Sequence, residues 1–209
     1  MEQRSEEWFK TRLGKVTASR VADIATKTKS GYSAARLTYL TELLSERLTG
    51  RKAEKWVSGP MQWGVDNEDA ARAAYEIKTG NMVDEIAFVP HPDIDMSGCS
   101  PDGLVGDYGL LEIKCPNTIN HIEIMMNESP PEKWMIQMQW QMACTARDWC
   151  DFVSFDPRMP PEMNLVIIRV DRDDTMIAKL EDEVKIFLRE LEDKINKLNN
   201  FIKEKQNGV

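Results

Sequence analysis

Apolar residues recur every three or four positions through the first third of the chain, the spacing that gives a helix one buried face. SEEWFKTRLG predicts a short helix stopped by Gly14, and ASRVADIA a second one that Thr17 can cap. The polar, basic KTKSGYS reads as a loop. AARLTYLTELLSERLTG predicts a longer helix closed at Gly50, since glycine adopts the left-handed conformation that ends a helix. Beyond the loop RKAEKWVSGP another helix is expected from about Met61 or Asp66 to Lys78, with Gly80 as its stop.

The pattern then changes to short, partly alternating apolar runs separated by turn residues. MVDEIAFVPHP, IDMSGCSPDGLVG and YGLLEIKCP read as strands, followed by a mostly helical piece centred on EKWMIQMQWQMACTA. WCDFVSFDP and MNLVIIRV predict two more strands. Helices, a strand cluster, a helix and further strands together imply an α/β or α+β fold around a mixed sheet. From Asp173 to about Lys205 a long helix is expected, with Ile177, Leu180, Val184, Phe187, Leu191, Ile195 and Leu198 along one stripe. Such a stripe fits a coiled-coil seam or, as the globular norm, a surface helix packed on its own domain. No repeat or break in composition marks a boundary, so one domain over residues 1–209 is expected.

Composition narrows the chemistry. A chain of 209 residues buries about 70% of its unfolded surface, so no covalent staple is required. Its four cysteines form no C-x-x-C and are expected to be reduced thiols, not ligands of zinc or an iron–sulfur cluster. No apolar run approaches the roughly 20 residues of a membrane helix, and MEQRSEEWFK has no secretory h-region, so a cytoplasmic location is expected. With only His91 and His121, carboxylate, lysine and metal chemistry come to the fore. Lys and Arg total 27 against 35 Asp and Glu, a net charge of −8. That argues against a polybasic coat or membrane binder but leaves room for a local basic patch, or for carboxylates clustered around a cation.

The informative segment is Ser100-Pro101-Asp102-Gly103 and, with nine residues between Asp102 and Glu112, Glu112-Ile113-Lys114. On a strand, Glu112 and Lys114 share one face and Ile113 takes the other. The intervening GLVGDYG can turn the chain and bring Asp102 beside Glu112. Neighbouring carboxylates repel and take up protons unless a cation intervenes. Oxygen donors with open positions suit Mg²⁺ or Mn²⁺, and Lys114 can position a water and stabilise charge on a phosphate. The plainer alternative is a β-turn followed by a cross-strand ion pair. Glu68, one turn into the helix DNEDAARAAYE, offers a third acid. Gln137 and Gln141 share a helix face while Gln139 points elsewhere; a buried glutamine needs a partner, for which a metal-bound water or a phosphate would serve.

At these residues the chain resembles the PD-(D/E)XK nucleases, and more closely the bacteriophage lambda exonuclease family of viral recombinases. The resemblance runs from about Trp8 to Arg169 through WFKTRLGKVTASR, KTKSG, WGVDNEDAARAAYE, CSPDGL, LEIKCP, IQMQWQMA and FDPRM. It implies a restriction-endonuclease-like core, a mixed sheet flanked by helices. It implies that Asp102, Glu112 and the Ile113 carbonyl hold metal, that Lys114 orients the attacking water, and that Glu68 and Gln137 complete the active site. Arg12, Ser19 and Ser100 match residues that hold a 5′-terminal phosphate. Lys29 stands where an arginine of that pocket can occur, and Met61 where a wedge separates the strands. Trp134 replaces a tyrosine.

The function so implied is a Mg²⁺-dependent 5′→3′ exonuclease on double-stranded DNA ends, with two metal ions, Mn²⁺ being an alternative. It would release 5′-mononucleotides and leave a 3′ single strand for recombination. A homotrimeric ring, a single-strand annealing partner and a phage or prophage origin in a bacterial host also follow from the resemblance. The rival readings are a structure-selective endonuclease or Cas4-like exonuclease on the same fold, and a non-catalytic DNA-binding relative. The basic residues expected at DNA are Arg12, Lys27, Lys29 and Lys114, with much of the remaining acid on the tail helix, in EDE and ELED.

Overall fold

A computed structural model describes residues 3–29, 31–53 and 58–207. The chain opens with α1 (Glu6–Arg12), β1 (Val16–Thr17), α2 (Ala18–Ala25), the pair β2 (Lys27–Thr28) and β3 (Gly31–Tyr32), α3 (Ala34–Thr49) and α4 (Gly59–Thr79). Five strands follow: β4 (Val83–Asp84), β5 (Val89–Pro90), β6 (Ser97–Cys99), β7 (Gly103–Val105) and β8 (Gly109–Lys114). Then come α5 (Thr118–Asn127), α6 (Glu132–Thr145), β9 (Trp149–Phe155), β10 (Leu165–Asp171) and α7 (Asp174–Asn207).

The main sheet has the order β10-β9-β8-β7-β4, with β8 and β9 parallel and its other pairs antiparallel. Strand alternation sends Leu110 of β8 to a core shared with Met138, Met142 and Phe152. Leu111 and Ile113 pack on the opposite side with Ala71 and Tyr75 of α4. The sheet is thus covered by α6 on one face and α4 on the other, the layered α/β arrangement that the pattern implied. Gly103 is dictated by packing, because a Cβ there would lie 2.1 Å from a Val83 methyl. Gly106, at φ +54°, turns the chain between β7 and β8.

Several local expectations change. KTKSGYS is not a loop throughout: it forms the β2–β3 hairpin, held against α7 by a 2.7 Å hydrogen bond from Tyr32 to Glu183. Thr17 occupies the N-cap position of α2 without a side-chain capping bond, since it also belongs to β1. β1 pairs in parallel with β6, and β6 antiparallel with β5, in a separate small sheet. α4 starts at Gly59, capped by Ser58, earlier than Met61 or Asp66. Of the segment read as the loop RKAEKWVSGP, residues 54–57 lie outside the described residues.

The tail helix packs on its own chain. Ile177 joins the core under the sheet, while Leu180, Val184, Phe187 and Leu191 are buried against α2, α3 and α6. Ion pairs from Glu183 to Lys27 (2.5 Å) and from Glu190 to Arg36 (2.6 Å) supplement that stripe. Among the described residues no helix is long and apolar enough to cross a membrane.

Candidate active site

The β7–β8 hairpin sets the acids side by side. Gly103 pairs with Leu111, so Asp102 falls level with Glu112, and its Oδ2 accepts the Ile113 N–H at 2.6 Å. Glu112 is fully buried. Its Oε1 accepts from Gln137 Nε2 at 2.6 Å and is paired with Lys114, while its Oε2 accepts from Gln141 Nε2 at 2.6 Å. A buried carboxylate is tolerable only when its lone pairs are engaged in this way. The partner that sequence reasoning sought for the glutamines, a metal-bound water or a phosphate, is here the Glu112 carboxylate. Gln139 indeed points elsewhere, donating to the Asp171 carbonyl at 2.8 Å.

Charge in the cluster is strained. Burial, followed by the charge of Glu112, holds the Asp102 carboxyl well above the ordinary range, against the pull of Lys114 and the Ile113 amide. Burial alone would depress the Lys114 ammonium, but Glu112 and Asp102 outweigh it and raise it. Lys114 is therefore a cation at neutral pH, a donor and electrostatic stabiliser with no capacity to act as a base. Glu68 adds to the negative field felt by Asp102 and Lys114. Its own carboxylate is held by Arg4 and, at 3.4 Å, by Arg72. Burial, reinforced by Glu68 and Asp102, pushes the neighbouring Cys115 thiol up to about 12, so it is inert.

Among the described residues no three Asp, Glu, His or Cys side chains form a ready-made metal cage. The donor set on offer is the pair Asp102 and Glu112. The raised Asp102 carboxyl fits a divalent cation, because a positive ion would relieve the like-charge conflict that now favours its protonated form. Oxygen-only donors match a hard ion such as Mg²⁺.

A second feature adjoins this cluster through Ser100, two residues before Asp102. Arg12 Nη1 donates to Ser100 Oγ at 2.7 Å, and Trp8 Nε1 donates to the same oxygen at 3.0 Å. With both acceptor sites of that hydroxyl engaged, its O–H is left to donate. The Arg12 guanidinium stacks 4.1 Å from the Trp8 ring. Among the described residues no carboxylate pairs with Arg12, and burial pushes it down to about 10. A cavity of about 200 Å³ beside it is lined by Trp8, Lys15, Ser19, Arg20, Glu46 and Lys52, among others. Glu46 turns its oxygens to the Gly14 and Ala53 amides, at 2.9 and 3.2 Å, and Glu42 is paired with Arg20 at 2.7 Å. The acids are engaged elsewhere and the desolvated arginine is open to an anion.

Of the residues singled out by sequence, Asp102, Glu112, Lys114 and Gln137 converge, with Glu68 at the edge. Arg12 and Ser19 line the cavity, and Ser100 adjoins it through its hydrogen bond from Arg12. Lys29 lies exposed after β2 and does not line that cavity; Lys27 is taken by Glu183. Met61 is exposed on the first turn of α4. Trp134 stacks on Phe152 at 5.5 Å, with no hydroxyl to offer. Sequence reasoning gave no role to Trp8, although its i, i+4 spacing from Arg12 is the signal for their stacking. Arg4, far from Glu68 in sequence, left no such signal.

A mixed sheet between helices, with Asp, Glu and Lys gathered on a central hairpin, defines a protein of the restriction-endonuclease-like PD-(D/E)XK class. Within it, the chain belongs to the YqaJ-like viral recombinase family, whose profile matches residues 7–148. It is similar to the alkaline exonuclease LHK-Exo of Laribacter hongkongensis, at 50% identity over 96% of this chain and 99% of that one, with a TM-score of 0.90. The complex of LHK-Exo with dAMP matches over the same shares at 50% identity, with a TM-score of 0.91. A phage-related exonuclease from Haemophilus somnus 129PT, at 16% identity over 88% of this chain and 96% of that one, shares the fold with a TM-score of 0.72. Among curated proteins none matches significantly.

Proposed function

We propose that this protein is a Mg²⁺-dependent exonuclease that degrades double-stranded DNA 5′→3′ from its ends, releasing 5′-mononucleotides. The observation that carries the reading is the pairing of half-buried Asp102 with fully buried Glu112 beside cationic Lys114, joined through Ser100, two residues before Asp102, to an Arg12 that has no carboxylate partner among the described residues. The 50% identity to an alkaline exonuclease supports the reaction class.

Asp102 and Glu112, with the Ile113 carbonyl, would hold one or two Mg²⁺ ions, Mn²⁺ serving in their place. Bound there, such ions supply Lewis acidity and a more acidic water. The chain's own residues do the rest. Lys114 holds the attacking water and offsets charge on the phosphoryl oxygens, and Gln137 fixes the Glu112 oxygen shared with it. Water adds to phosphorus, the P–O3′ bond breaks, and the departing nucleotide keeps its 3′ oxygen, which takes up a proton. The remaining strand then carries a new 5′-phosphate for Arg12, Ser19 and Ser100 to seat. Lys29 and Met61 would act on the duplex at its end, and the 3′ strand left behind is the substrate of a single-strand annealing partner. A ring of three chains belongs to the same reading, and light scattering on the purified protein tests it.

The decisive assay measures nucleotide release from linear duplex with 5′-phosphate or 5′-hydroxyl ends, with and without Mg²⁺. Release that needs Mg²⁺ and favours the phosphorylated end is expected. Degradation of covalently closed circular duplex at the same rate would overturn end dependence, and absence of release in Mg²⁺ would favour a non-catalytic relative.

A further inference from the structure

Gln141 is fully buried and donates from Nε2 to Glu112 Oε2 at 2.6 Å, while its own Oε1 has no hydrogen-bond partner among the described residues. A buried, orphaned carbonyl costs its full desolvation. The amide cannot be turned to relieve it, because a carboxylate only accepts and would then face the carbonyl. The site thus keeps an unsatisfied acceptor in order to give Glu112 a second N–H. Gln137, one turn earlier on α6, engages the other oxygen, Oε1, which also pairs with Lys114. Held at both oxygens by two amides on one rigid helix, the carboxylate cannot rotate about its terminal torsion.

We infer that Gln141 is a positioning residue: it fixes the rotation of the Glu112 carboxylate and so sets the affinity of the site for a divalent cation. The inference rests on the cation reading given above. An amide suits this task, since it anchors the inner oxygen without adding a positive charge that would compete with the cation. Outer partners of metal ligands commonly change metal affinity tenfold to a hundredfold when removed. Gln139 provides an internal control. It is equally buried on the same helix but bonds the Asp171 carbonyl and the Asp173 amide, so its role is to join α6 to the start of α7.

Calorimetric titration of the full chain with Mn²⁺ alone, without DNA, tests this. Gln141→Met, which keeps the volume and removes both the N–H and the orphaned carbonyl, should weaken Mn²⁺ binding about tenfold or more, and should not raise the melting temperature of the metal-free protein, because it also strips buried Glu112 Oε2 of its donor. Gln141→Asn, one methylene short of Glu112, carries the same affinity prediction should the methionine variant not fold. Gln139→Met should melt lower and bind Mn²⁺ as the unmodified protein does. Wild-type affinity in folded Gln141 variants overturns the inference alone, as does an equal loss in Gln139→Met. If the unmodified protein binds no Mn²⁺, the cation reading itself falls, and this inference with it.

Discussion

An arginine that is desolvated and has no carboxylate partner among the described residues should weaken the fold it sits in, and replacing it should separate stability from function. Arg12 is such a residue. Burial brings its guanidinium down to about 10, against a free value above 12. At about 1.4 kcal/mol per decade, keeping it charged costs the folded state about 3 kcal/mol. A base depressed by folding carries that cost at every pH below about 10, hence throughout any practical assay. Two contacts offset it: the bond to Ser100, worth about 1 kcal/mol, and the stack on Trp8, worth about 0.5–2 kcal/mol. Arg12→Met retains the bulk and loses the charge, leaving a net gain of about 1 kcal/mol. For a chain of this length that is a rise in Tm of about 2–4 °C. In the same variant the rate advantage of 5′-phosphorylated over 5′-hydroxyl ends should fall about tenfold to a hundredfold, because a hydrogen bond to a charged group contributes about 1.5–3 kcal/mol. Scanning calorimetry gives the first quantity and single-turnover digestion of the two duplexes the second. A lower Tm together with an undiminished preference for the phosphate would refute the assignment of Arg12 as an anion site held at a cost to the fold.

Three further outcomes follow from the same geometry. Lys114→Ala should slow nucleotide release by about a hundredfold to a thousandfold while Mn²⁺ and DNA still bind, as rapid-quench assays and fluorescence titration would show; a near-normal kcat would remove lysine from the mechanism. Asp102→Ala should abolish calorimetrically detected Mn²⁺ binding, and unchanged affinity would reject its role as a ligand. Asp156 is buried, which raises its carboxyl, but bonds from Arg158 at 2.7 and 2.9 Å and from Thr118 at 2.6 Å outweigh this and lower it to about 2. An acid lowered by folding adds stability above its free value of about 4 and loses it as pH falls towards 2. Asp156→Asn should therefore destabilise the protein at neutral pH and flatten denaturant stability between about pH 4 and 2; parallel curves for the two proteins would contradict the pairing.

What could be read in advance was whatever depends on residues close together in the chain. Alternation along β8 put Glu112 and Lys114 on one face, and helical spacing put Gln137 beside Gln141 and away from Gln139; the hydrogen bonds bear out both. The turn at Gly106 returned Asp102 to Glu112 because only a few residues separate the two strands. Contacts across long separations left no such trace. The parallel pairing of Val16 with Ser97 depends on how α2, α3 and α7 fill the space between. Glu183 reaches Lys27 across more than 150 residues, and so removes from any DNA-facing set a lysine that KTKSGYS alone seemed to offer. Total charge fails for the same reason. The Arg12 cavity holds both signs, yet Glu42 is paired with Arg20 and Glu46 is turned to two backbone amides. What remains open to a ligand is a desolvated guanidinium beside a hydroxyl with a proton to donate, with Lys15 and Lys52 on the cavity wall. A chain with a net charge of −8 can therefore present a selective anion site, because selectivity follows from which partners each charge already has and not from their sum.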